Sequence, residues 1–213
     1  MNETGKLGRD ALELYKNAIL SSNIISSSNH LGDFYAQNPG SWSNGHVKQH
    51  LGAFNISDAN SLRQQLEWLI THGFREQFEQ LRMLLVAIPE ASHATIIESE
   101  TSPERRRQMS IVRDYMWRVS PAGIAAFDCS TAMFCCCGGK QVFTIEEAEH
   151  WSFIERIVQL TRELFSNWRD YLISLSIGSQ FATKANVDYV GINKAVLAKL
   201  LASEHSLLRQ VEL

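Results

Sequence analysis

Asp128 is the only charged residue between Pro121 and Gly139, and it stands between Phe127 and Cys129. A carboxylate in such apolar company must be partnered, because burying an unpaired charge costs several kcal/mol. Two chemistries suit it. It can act as an acid or base in a cleft between helices, or it can join one helix to another through an ion pair or a capping bond. The second is the expectation here, since paired carboxylates in helical cores more often hold structure than perform catalysis. If the site is catalytic, Glu147 and Asp170 are the further carboxylates that could converge on Asp128, with Trp151 beside them, around a small polar substrate.

The four cysteines are Cys129, Cys135, Cys136 and Cys137. Neighbouring cysteines rarely meet disulfide geometry, and adjacent helical residues point about 100° apart, which suits no tetrahedral zinc site. Reduced thiols with no metal are expected. Cys129, Met133 and Cys136 share one helical stripe and read as packing, with Cys135 or Cys137 reactive only if it faces outward. His46 and His50 have the i, i+4 spacing of a helical metal pair. They lack the intervening carboxylate of H-E-x-x-H, and Gly45 argues against a firm helix. Phosphate-loop, dinucleotide and serine-nucleophile motifs are absent, so no cofactor is expected. Trp68, Trp117, Trp151 and Trp168 each fall in a predicted helix as core or interface anchors.

The elements that must position these residues are helical. Apolar spacing predicts a helix from Leu7 to Leu20, then a loop-rich segment near residues 21–55 with a turn at Asn38-Pro39-Gly40. Asn55 to Asp58 supply caps for a helix carrying Leu62, Leu66 and Leu69. A sharp kink or helical hairpin at Gly73 leads to Phe74, Phe78, Leu81 and Leu85, which run until Pro89. Ser102-Pro103 opens another helix, in which Arg105, Arg106 and Arg107 form a solvated face. Ser120-Pro121 repeats that start signal and Gly138-Gly139 supplies a stop, so Pro121 to Cys137 is predicted as a central, buried helix. Lys140 to Phe143 is the one extended candidate. Thr144 and Glu147 form a T-x-x-E capping box before a long amphipathic helix. A helix follows Asn167, and a last one runs from about Asn193 to Leu201. The fold class is all-α, a single domain of about seven to eight helices.

Gly123-Ile-Ala-Ala-Phe-Asp128, Gly138-Gly139, Thr144-Ile-Glu-Glu-Ala148 and Phe165 to Tyr171, with Gly178 and Phe181, together resemble domain-of-unknown-function family 1266 of bacteria. Leu66-Glu-Trp-Leu69 followed by His72-Gly-Phe-Arg75 is similar to that family's W-L-x-x-G-x-R segment. The family pattern has Trp-Asp followed three residues later by Arg, whereas Phe127 and Thr131 stand at those positions here. The resemblance therefore implies that Asp128 takes another partner, Arg75 or Arg169. It implies a fold and carries no assigned reaction.

Lys and Arg total 20 against 23 Asp and Glu, giving a net charge of -3. That balance supplies no broad basic field for nucleic acid. The N-terminus lacks a secretory pattern and no run approaches the length of a membrane span, so a cytoplasmic protein without membrane contact is expected. The first functional expectation is a non-enzymatic binding protein, an immunity protein neutralising an interbacterial toxin. Its binding residues would be Glu146, Glu149, Trp151 and Trp168, with the acids facing a basic toxin surface. The alternative is the enzyme centred on Asp128. A homodimeric scaffold using the Trp-bearing faces is the third expectation.

Overall fold

In the computed structural model the described residues are 7–23, 43–182, 201–202, 204 and 206–213. Most of the loop expected between Ser21 and Gly45, and most of the helix expected from Asn193 to Leu201, lie outside them. The described residues contain α-helices and short 3-10 turns and no strand. In chain order the helices are α1 (Arg9–Asn23), α2 (Asn44–Ala53), α3 (Ala59–Thr71), α4 (Gly73–Val86), α5 (His93–Ser99), α6 (Pro103–Tyr115), α7 (Ala125–Val142), α8 (Glu147–Leu164) and α9 (Trp168–Ala182). The all-α class and the central apolar helix hold. None of these helices is long and apolar enough to cross a membrane.

Helix α7 is the hub, packed against α1, α2, α3, α4, α8 and α9. Its side chains are buried from Ala125 through Gly139 with Phe134 alone half-buried, because almost every residue there is small or apolar. A large core gathers α1, α2, α3, α7, α8 and α9. A second cluster, with Phe78, Leu81, Leu85, Met109, Val112 and Phe181, joins α4 to α6 and α9.

The bounds of α7 differ from expectation at both ends. Pro121 starts a turn and not the helix, since Gly123 takes φ +58 and breaks the helical path. The amide of Ala126 then donates to Ser174 Oγ at 3.1 Å, so α9 supplies the N-terminal cap that α7 lacks in its own sequence. At the other end Gly138 and Gly139 continue the helix. A Cβ on Gly139 would lie 2.2 Å from Leu62 Cδ2, so this glycine permits close approach of α3 to α7 and no stop. Lys140 to Val142 are consequently helical, which removes the one extended candidate.

The expected capping box at Thr144 does not form. Glu146 is the N-cap of α8 and makes no side-chain capping bond. The Glu147 carboxylate instead turns to Trp151 Nε1 at 2.8 Å, Arg9 at 2.8 Å and Lys140 at 3.3 Å. Elsewhere the capping signals are used. Asp58 caps α3 in a reciprocal box with Ser61, and Ser102 accepts from the Arg105 amide ahead of Pro103. Part of the segment expected to be loop-rich is also helical: Ser43 caps α2, and Val47 and Leu51 are fully buried. Trp117 lies in the turn after α6 with 73% of its surface exposed, so it is neither helical nor a core anchor. The face expected to be solvated loses Arg107, whose guanidinium donates to the carbonyls of Gln180 and, at 2.9 Å, Phe181.

Candidate functional site

The chain turns sharply between α3 and α4 at His72-Gly73, where Gly73 adopts φ +67. Such a corner leaves two sets of backbone groups without partners: the last carbonyls of α3 and the first amides of α4. Two side chains satisfy both sets. Asp128, fully buried in the first turn of α7, accepts from the amide of Phe74 at 2.8 Å and of Arg75 at 3.1 Å. Arg75 donates Nη1 to the Leu69 carbonyl at 2.7 Å and Nη2 to the Ile70 carbonyl at 2.6 Å. Its Nη1 also reaches Asp128 Oδ2 at 3.0 Å and closes the arrangement.

The carboxylate sits at the positive end of α4 and the guanidinium at the negative end of α3, so both helix dipoles favour the pair. Gly73 is required sterically as well as by its φ, because a Cβ there would lie 2.2 Å from Asp128 Oδ2. Complete burial pushes the Asp128 carboxyl up to about 6, against the downward pull of Arg75 and the two amides. Phe127 packs edge to face on Phe74 at 5.5 Å, and Phe74 on Trp68 at 5.0 Å, which seals the corner with aromatic rings. The partner of Asp128 is therefore Arg75; Arg169 is exposed.

The other carboxylates do not converge on this corner. Glu147 and Trp151 form an outer network in which the Arg9 guanidinium lies 4.4 Å over the indole, and the Trp151 hydrogen bond leads the effects that hold Glu147 low. Asp170 lies in the first turn of α9, which Asn167 caps: the Asp170 amide donates to Asn167 Oδ1 at 2.9 Å and Asp170 Oδ2 accepts from Asn167 Nδ2 at 2.9 Å. It borders a shallow cavity of about 270 Å³ with Ser120, Arg162, Glu163 and Phe165, which neither Asp128 nor Glu147 lines. The enzyme site expected from these carboxylates is thus divided among three places.

The expected binding residues also separate. Glu149 is engaged by Arg63 through two bonds of 2.5 and 2.9 Å, while Glu146 remains exposed. Trp168 is 6% exposed and donates Nε1 to the Val211 carbonyl at 2.8 Å, so it fastens the C-terminal residues to α9. All four cysteines are buried, Cys135 and Cys137 included. Burial pushes the Cys129 and Cys137 thiols up to about 12 and raises those of Cys135 and Cys136 as well. Cys136 does have a histidine neighbour, His150 Nδ1 at 3.3 Å, where burial holds the imidazole low and neutral.

One surface was missed. Met83, Leu84 and Val86, at the end of α4, are 62%, 40% and 50% exposed. Their signal lay in the sequence, since Phe78, Leu81 and Leu85 already fill the core stripe and leave these three outside it.

Residues 52–213 match the model of a family described as protein of unknown function (DUF1266). No curated protein and no solved structure matches the chain.

Proposed function

We propose that this chain, which belongs to the DUF1266 family, is a non-enzymatic binding protein that docks a protein partner on the outer face of α4. The observation that carries the reading is the exposed run of Met83, Leu84 and Val86, flanked by Ala87 and Pro89. Contiguous apolar side chains at a surface mark interaction sites more often than isolated ones do. Residues 76–90 carry Glu76, Glu79 and Glu90 against the single cation Arg82, which Glu79 already holds at 2.7 Å. An apolar centre with an acidic rim suits a partner with apolar anchors inside a basic surface.

A basic toxin neutralised in the bacterial cytoplasm has that chemistry, and an immunity role is the form of the proposal developed here. The Asp128 corner supports it indirectly. Its carboxylate is fully enclosed by two amides and a guanidinium, which leaves no cleft for substrate at the residue on which an enzyme would centre.

Affinity purification from the native cell tests the reading, with the wild-type chain compared with Met83→Glu/Leu84→Glu. Both side chains face outward, so the variant should keep the wild-type unfolding midpoint. Specific capture of one basic protein by the wild type, lost in the variant, is expected. Equal capture by both chains removes the α4 face. Turnover of a small molecule by the purified chain overturns the non-enzymatic reading and restores the enzyme alternative.

A further inference from the structure

Helix α2 places His46 and His50 on one face, with imidazole centroids 4.3 Å apart and planes at 71°. The helix is firm for reasons independent of those rings. Ser43 caps it by accepting from the His46 amide, and Val47 and Leu51 are fully buried against the core. The His50 ring rests edge to face on Phe134 of α7 at 5.6 Å, which restrains it before any ligand arrives. Neither imidazole has a hydrogen-bond or ion-pair partner among the described residues.

We propose that His46 and His50 form a two-histidine clamp for a divalent transition ion that prefers right-angle coordination, Ni²⁺ or Cu²⁺. The separation decides the geometry. With metal–nitrogen bonds of about 2.0 Å, two imidazole centroids stand roughly 4.5 Å apart at a right angle and roughly 5.1 Å apart in a tetrahedron. The observed 4.3 Å fits the first. The χ2 wells of histidine are broad, so ring rotation can adjust which nitrogen each imidazole presents.

No cluster of three or more His, Cys, Asp or Glu suited to a metal occurs among the described residues. The clamp therefore contributes two ligands, and water completes an exchangeable site. Both histidines precede residue 52, so the clamp lies outside the family-matched region and belongs to this chain's own N-terminal part.

Isothermal titration of the full chain with Ni²⁺, with Mg²⁺ as the hard-cation control, tests the clamp. One Ni²⁺ per chain is expected, at least tenfold weaker in His46→Gln and in His50→Gln, with no Mg²⁺ heat. Circular dichroism of each metal-free variant checks that the helices remain. A second variant separates chelation from histidine content: His46→Gln with Gly45→His keeps two imidazoles but changes their spacing, and a Cβ at position 45 meets nothing within 4 Å. It should bind as weakly as His46→Gln. No Ni²⁺ binding by the wild type, or equal binding by all four chains, overturns the proposal.

Discussion

Asp128 and Arg75 each satisfy backbone groups that a tight helical corner leaves open, and their mutual ion pair is one bond among five. This explains why a charge stands in the most buried helix of the molecule: its counter-charge is the fixed end of another helix as much as the guanidinium. The pH dependence follows from the raised carboxyl. Its folded value of about 6 exceeds the ordinary 3.8, so between those values the native chain keeps a proton that the unfolded chain has released. The stability that the raised carboxyl adds is thus fully present below pH 3.8 and is lost as pH rises through about 6, while the hydrogen bonds to Arg75 and the two amides remain. Urea unfolding of the wild type and Asp128→Asn across that range should show the wild-type advantage shrinking by about 3 kcal/mol on going to neutral pH. A widening advantage would mean that the amides and Arg75 outweigh desolvation.

At the scale of elements, α7 is a helix made for contact, and its small residues set how near its neighbours come. Gly139→Ala would drive a Cβ to 2.2 Å from Leu62 Cδ2, and it should lower stability by about 1–3 kcal/mol through overpacking, read by thermal or urea unfolding. An unchanged midpoint would show that α3 can move aside. The thiols of the same helix should be silent to Ellman's reagent in the native chain and react only on unfolding, since all four are buried. Rapid labelling of any of them in the native state would contradict this packing.

The periodic apolar stripes made α3, α4, α6 and α8 legible in the sequence. What was not legible depends on tertiary partners. Gly138 and Gly139 read as a stop until Leu62 is placed against them. Thr144 and Glu147 read as a capping box until Arg9, Lys140 and Trp151 compete for the carboxylate. Ser174, which caps α7, lies 48 residues from the amide it accepts.

For the whole molecule, a structural Asp128 and an outward binding face are two halves of one reading. The apolar neighbours of Asp128 demanded a cation or a hydrogen-bond donor, and the family resemblance narrowed the cation to Arg75 or Arg169. The exposed end of α4 was overlooked because apolar residues beside a core stripe look like more core. Substitution at Asp128 should therefore act on folding, whereas substitution at Met83 and Leu84 should act on binding alone. Equilibrium urea unfolding of Asp128→Ala at neutral pH, paired with partner capture by the same protein, separates these most directly. A loss of about 3–5 kcal/mol is expected, with Asp128→Asn losing less, because Arg75 and two amides would be left without their acceptor. An unchanged unfolding midpoint together with abolished binding or activity would contradict the structural role and place Asp128 in a functional site.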